Sequence, residues 1–142
     1  MEINIDVGND FLQLFLHRVI QSQSFLFDYG YRKLRFSASK NQFMVQLISE
    51  EKKIIIEFFM ECTDKTKLEI IFYKEKSSFF KSYYSVLLNH FFSNDEEFNK
   101  YIVGINEKNM LEVLNYYANY FRKRLLEVID GKIWFDKLKS EM

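Results

Sequence analysis

Two histidines, His17 and His90, and one cysteine, Cys62, are this chain's entire stock of the residue types that most often bind metal or serve as nucleophile and base. None of them stands in a short pair such as Cys-x-x-Cys or His-x-x-x-His, so the spacing offers no metal site. No Gly-x-Ser-x-Gly step occurs, and neither histidine has an obvious orienting acid. Four scattered glycines make no phosphate-cradling loop. Glu57 and Glu61 fall on one face of a strand and come nearest to a divided acid and base. Four residues of strand span about 13 Å at ~3.3 Å each, which is long for such a pair. Cross-strand pairing with Lys33, Arg35 or Lys67 is the expected use of both carboxylates.

A nuclease-like Asp…Glu-x-Lys set fails as well, because Glu50-Glu51-Lys52 and Glu51-Lys52-Lys53 fall in a turn. Tyr29, Tyr31, Arg32, Lys33 and Arg35 mix stacking with charge, as single-stranded nucleic acid requires. Twenty basic residues against twenty acidic ones, with no second basic stretch, argue against that partner. Cys62 sits in an apolar alternation, reads as a small core residue and has no second cysteine to pair with. The sequence therefore predicts no catalytic residue, no metal and no cofactor.

The elements that must position these side chains centre on Tyr31 to Tyr73, which reads as a four-stranded antiparallel meander. Strand one, Arg32 to Ser39, puts Leu34, Phe36 and Ala38 on one face and Lys33, Arg35 and Ser37 on the other. Ser39-Lys40-Asn41 turns the chain into Gln42 to Ile48, with Phe43, Val45 and Leu47 inward. After Ser49-Glu50-Glu51-Lys52, a third strand points Ile54, Ile56, Phe58, Met60 and Cys62 one way. Thr63-Asp64-Lys65-Thr66 leads to a fourth, with Leu68, Ile70 and Phe72 on the same side. Loops this short join antiparallel neighbours, whereas parallel ones need long crossovers. The second face carries Met44, Ile48, Ile55, Phe59, Ile71 and Tyr73 among Lys33, Arg35, Gln46, Glu57, Glu61, Lys67 and Glu69. A helix or a sister subunit covers such a face in many folds. Left open, it is a partner-binding surface, since contiguous exposed apolar area marks interaction sites.

Helical sequence flanks the meander. Asn9 or Asp10 caps a helix to about Ser24, with Phe11, Leu12, Phe15, Leu16, Val19 and Ile20 on its stripe and His17 on the polar side. Phe25 to Tyr31 is an aromatic connector closed by Gly30. A second helix starts at Ser77 or Ser82 and runs to about Phe92. It joins Phe80, Tyr84, Leu87, Leu88 and Phe91 on one stripe, Phe79, Tyr83 and Val86 on the other side, and His90 near its end. Asn94-Asp95-Glu96-Glu97 opens a short helix that Gly104 closes. Asn106 caps the longest helix, Glu107 to about Ile129, whose stripe is Leu111, Leu114, Ala118, Phe121, Leu125 and Ile129. Gly131 ends it in the left-handed conformation. Tyr116, Tyr120, Lys123 and Glu127 form an outward line, either a partly packed flank or an anchor for a partner. The tail from Lys132 to Met142, with Ile133, Trp134, Phe135 and Leu138, is too apolar to float free.

With 142 residues, 48% apolar and 18% aromatic, the chain is one ordinary domain's length and far from disordered composition. Proline is absent, a compositional bias to which no function attaches. The acidic start, Met1 to Asp6, lacks the basic and apolar regions of a secretory signal. No apolar stretch reaches bilayer-spanning length, so a cytoplasmic location is expected, with no membrane partner.

Tyr117-Ala118-Asn119-Tyr120-Phe121, Leu125-Leu126-Glu127-Val128-Ile129-Asp130-Gly131 and Trp134 close a helix, meander, helices order that resembles small bacterial immunity proteins of polymorphic toxin systems. The resemblance implies a non-catalytic protein that binds and blocks a cognate toxin, and it carries over no contact residue. The expectation is one α+β domain over 1–142: an N-terminal helix, the four-stranded meander, and two to three C-terminal helices packed on one sheet face. Ile55, Glu57, Phe59, Glu61, Glu69, Ile71 and Tyr73 on the other face are expected to meet a protein partner, a toxin domain if the resemblance holds. The alternatives are an oligomeric adaptor or secretion-chaperone-like module that pairs this face with its own copy as a homodimer, and a small enzyme or ligand-binding domain with a tyrosine-lined pocket.

Overall fold

The computed structural model describes residues 10–63, 65–76 and 82–139. The acidic start, the Asn9 cap, the turn residue Asp64, the Ser77 helix start with Phe79 and Phe80, and the tail's last residues, 140–142, lie outside them. The described chain is α+β: an N-terminal helix, an antiparallel sheet and C-terminal helices.

Helix α1 spans Asp10–Ser22 and buries Leu12, Phe15, Leu16 and Val19, the 3–4 repeat that defines one helix face. Asp10 lies inside the first turn, where a carboxylate suits the helix dipole. The helix stops short of Ser24 because the aromatic connector winds into a 3-10 turn, Ser24–Tyr29, closed by Gly30 at φ 94°. The fully buried Gln23 fixes this corner by donating Nε2 to the Leu114 carbonyl at 3.0 Å. A Cβ on Gly30 would stand 3.3 Å from the Lys52 Nζ, which donates to the Tyr29 carbonyl.

Five strands follow in spatial order β1-β2-β3-β4-β5: Lys33–Ser39, Gln42–Ser49, Ile54–Cys62, Thr66–Glu75 and Tyr83–Leu87. Every neighbour pair is antiparallel, and Ser39 faces Gln42 across a two-residue turn with Lys40 at φ 47°. The fifth strand corrects the sequence reading, which gave Ser82 to Phe92 to a helix. Tyr83–Leu87 instead pairs with β4, Phe72 opposite Val86 and Tyr73 opposite Ser85. The β4 edge satisfies its ladder with a stretch rich in β-favouring Tyr and Val. Tyr83 and Tyr84 are exposed, not part of a buried stripe. Only Leu88–Phe91 is helical (α2), and its Asn89 brackets β4 beyond the end of β5, accepting from Ile70 N at 3.1 Å and donating to Leu68 O at 3.0 Å.

Helix α3, Glu96–Asn99, is capped by Asp95. Helix α4 runs Met110–Arg124 and begins later than Glu107, because Asn106 and Asn109 bond each other's backbone and hold residues between them in a turn. At Leu125, φ −124° breaks the long helix, and α5, Leu126–Ile129, turns Val128 and Ile129 into the core. The Tyr31 hydroxyl there donates to the Ile129 carbonyl at 2.7 Å. Gly131 adopts φ 80°, as read from the sequence. Trp134 and Phe135 dock the tail, whose short helix α6 spans Phe135–Lys139.

The helices reach the sheet from one side. Phe11 of α1 meets Phe43, Phe121 of α4 meets Phe58 and Phe72, and Phe135 meets Phe72, with ring centroids 5.3–6.1 Å apart. Leu47, Ile56, Phe58, Met60, Leu68, Ile70 and Phe72 are fully buried beneath them. Leu34 and Phe36 of edge strand β1 are only half-buried, since the helical layer does not extend over them.

Candidate functional site

The opposite face of the sheet is ordered by the hairpin registers into rows that run across the strands. One row reads Lys33, Ile48, Ile55, Tyr73, Ser85; the next reads Arg35, Gln46, Glu57, Ile71, Leu87. A third holds Ser37, Met44, Phe59 and Glu69, and a fourth Ser39, Gln42, Glu61 and Lys67. All seven residues nominated from the sequence therefore lie on this face. Ile55 faces Tyr73, Glu57 faces Ile71, and Phe59 faces Glu69, which makes one contiguous patch; Glu61 lies at its far end, opposite Lys67. Ile55, Phe59, Ile71 and Tyr73 are half-buried by their neighbours alone. At the end beyond Ile55 the surface dips into an open recess of about 210 Å³ between Ile48, Glu50, Lys53, Glu75 and Tyr83.

Glu57 is the exception to the half-exposure, at 6%. Its Oε1 accepts from Gln46 Nε2 at 2.8 Å and its Oε2 from the Tyr73 hydroxyl at 3.4 Å. Burial, then the Glu57 charge and hydrogen bond, push the Tyr73 phenol up to about 12. This corrects the cross-strand pairing expected for Glu57, whereas Glu61 stands opposite Lys67 as expected. Lys33 meets Glu50 at 4.0 Å, Lys67 meets its own-strand neighbour Glu69 at 3.7 Å, and the residues that reach Glu57 are neutral. The physical reason is register: Gln46 and Ile71 flank Glu57, and its basic candidates stand at least two strands or two rows away. The sequence reading left Gln46 out of the site. Its signal was the four-residue turn between Ser49 and Ile54, which closes the β2–β3 hairpin and sets Gln46 opposite Glu57.

The second surface nominated, the tyrosines of α4, is spent inside the protein. Tyr120 is 2% exposed, and its hydroxyl donates to Asp95 Oδ2 at 2.7 Å. Tyr116 and Tyr117 donate to the carbonyls of Glu97 and Phe98. Asp95 Oδ1 accepts from the amides of Glu97 and Phe98 at 3.0 and 3.2 Å, capping α3. Burial raises the Asp95 pKa, but the Tyr120 hydroxyl, the two amides and Arg124 outweigh it, leaving the carboxyl below its ordinary value. Burial and that same carboxylate drive the Tyr120 phenol far up. These hydroxyls face inward because each completes a carbonyl or cap of the α3 turn packed against α4. Of the outward line, Lys123 of α4, which meets Glu97 at 3.4 Å, and Glu127 of α5 stay exposed, and Tyr116 is half-buried.

Of the residues that carried catalytic possibilities, His17 and His90 are exposed and on separate helices. Cys62 is half-buried, and burial pushes its thiol up against an opposing hydrogen bond from Thr66. Among the described residues, no three His, Cys, Asp or Glu side chains gather where an ion would sit. No described helix is long and apolar enough to cross a membrane. The open face thus sets apolar side chains around one buried carboxylate, with charge at its margins. Comparison of the chain with protein-family models, curated proteins and solved structures returns no match.

Proposed function

We propose that this chain is a non-catalytic protein-binding module that docks a partner on the open face of its sheet, in the manner of an immunity protein blocking a toxin. One observation carries the reading. The helices pack on one side of a two-sided apolar sheet, and the other side keeps Ile55, Phe59, Ile71 and Tyr73 half-exposed around Glu57. An apolar centre with charged margins is the anatomy of a protein interface. The partner is protein that sets a cation against Glu57 and Glu61, which meet no described cation within ion-pair range, and an acidic group against Arg35 on the same face. Inhibition follows from cover: a partner whose active site lies against this face is shut off from its substrate.

The test captures partners on the native protein and on a Phe59→Asp/Ile71→Asp double variant, then assays the captured partner. Support is a partner held by the native chain and released by the variant, whose enzymatic or toxic activity the native chain suppresses at equal stoichiometry. A partner held equally by both proteins overturns the reading. So does a sizing run in which the native chain is a dimer and the double variant a monomer, since the face would then belong to a second copy.

A further inference from the structure

Glu57 is a carboxylate with room for more bonds than it makes. A carboxylate offers about four acceptor positions, and the two bonds to Glu57 come from the neutral groups of Gln46 and Tyr73. No Lys or Arg nitrogen stands within ion-pair distance of it among the described residues. Beside it, Gln46 is 9% exposed, and its Oε1 accepts no hydrogen bond. Two acceptors in want of donors thus sit together, in the middle of the face, with Ile48, Ile55 and Phe59 in the adjoining rows and Ile71 opposite. Withdrawing a carboxylate from water is costly when no cation answers it. A group of that kind at the centre of an open apolar surface is complete only when a partner supplies the charge.

We propose that Glu57, with Gln46 Oε1 beside it, is the socket for one guanidinium side chain of the docking protein. A guanidinium matches the observations better than an ammonium. Its planar fork of donors reaches a carboxylate and a neighbouring amide oxygen together, and it is the more weakly hydrated of the two cations. The aliphatic stem would lie on Ile55 and Phe59, and the Tyr73 ring offers an aromatic face to the cation. This inference rests on the docking reading above and specifies its central contact. Arg35 occupies the same row, one strand beyond Gln46, and is exposed, leaving the position unfilled from within the chain.

The experiment titrates the isotope-labelled native protein with N-ethylguanidinium chloride at constant ionic strength and follows side-chain carboxyl and tyrosine ring signals by NMR. Tetramethylammonium serves as the control cation. The expected result is saturable shifts centred on the Glu57 carboxyl and the Tyr73 ring, absent with tetramethylammonium. Binding should weaken by about tenfold or more in Glu57→Gln, the cost of losing a charge-assisted pair. Shifts that never saturate, or that centre on Glu61 or Glu69, overturn the socket. This map is read on the native protein, so it decides the matter even where Glu57→Gln folds poorly. Failure here leaves the docking reading standing, because that reading is tested separately through Phe59 and Ile71.

Discussion

The same strands present two faces, one almost wholly apolar and one mixed, that differ most in how completely they are packed. On β3, Ile54, Ile56, Phe58 and Met60 are at most 1% exposed beneath the helices, while Ile55 and Phe59, alternating with them, remain half-exposed. On the roofed side the aromatic rings find one another, Phe121 with Phe58 and Phe72, and Phe72 with Phe135. Among the polar groups that enter the helical layer, the Tyr31 hydroxyl is answered by Ile129 and the Tyr120 hydroxyl by Asp95, while the buried Gln23 donates to Leu114 but its Oε1 accepts no bond. On the open side a buried carboxylate has only neutral neighbours, and a buried amide oxygen has none. Amphipathic alternation says which residues share a face. Completeness of packing says which face holds the protein together.

The largest effect expected from that contrast is at Phe121. It is fully buried, with ring centroids 6.1 Å from Phe58 and 5.7 Å from Phe72. Phe121→Ala removes those contacts and leaves a cavity, with an expected loss of about 3–5 kcal/mol. Urea unfolding followed by circular dichroism checks it through the midpoint, the slope staying unchanged. A loss below about 1 kcal/mol would mean that the helical roof is not the principal core.

Next in size comes Asp95, the polar keystone of the roofed side. Asp95→Ala leaves two α3 amides uncapped and the buried Tyr120 hydroxyl without its acceptor. The expected cost is about 1–3 kcal/mol. It carries a pH signature. The folded carboxyl is held below its ordinary value, so its stabilisation is present in full above the unfolded pKa of about 3.9. It is lost as pH falls through the depressed folded value. Acid unfolding curves of the native and Asp95→Ala proteins should therefore converge as pH drops; parallel curves would show that the carboxyl contributes no charged-state stabilisation.

Tyr73 tests the open side by the opposite sign. Burial and Glu57 raise its phenol to about 12, so the neutral hydroxyl is the form that the fold favours. Its contribution is whole below the ordinary tyrosine value of about 10 and disappears as pH rises through the raised one. Ultraviolet titration should show several late-ionising phenols, those of Tyr31, Tyr117 and Tyr120 lying beyond that of Tyr73, and Tyr73→Phe should remove the one that ionises near 12. A phenol lost instead near pH 10 would mean that the Tyr73–Glu57 contact does not form in solution.

How far this contrast was legible in the sequence depends on the distance between the residues concerned. Alternation along Ile54 to Cys62 assigned both faces, because side-chain direction in a strand is set by neighbours along the chain. The corner at Gly30 and the stop at Gly131 were legible for the same local reason. Tyr83–Leu87 was not, since an apolar stretch spaced at three and four reads as helix until the open edge of β4 claims it. Tyr120 reads as outward on a helical wheel, and only the turn carrying Asp95, packed against that flank, encloses it. Glu57 was assigned to the right face and the wrong partners. A face follows from alternation, whereas a neighbour follows from register, and the register of Glu57 is set at the far end of its hairpin, where Ser49 meets Ile54.

The smallest expected change in stability is the one that separates the faces most sharply. Phe59 belongs to the same strand as Phe58 and is chemically identical to it, yet it is half-exposed where Phe58 is fully buried. Phe59→Ser leaves no enclosed cavity, because the side chain ends in open surface above Met44 and Glu69. Only the covered part of its apolar area is forfeited, so the expected loss is about 1 kcal/mol or less. Phe58→Ser, which also buries an unanswered hydroxyl, should cost several times that. The paired measurement is a urea midpoint for each variant under identical conditions. Equal losses would mean that Phe59 is covered in the free protein, and the partner surface would have to be sought elsewhere. Unequal losses, joined to release of a captured partner by Phe59→Ser, would assign this face to binding and the other to stability.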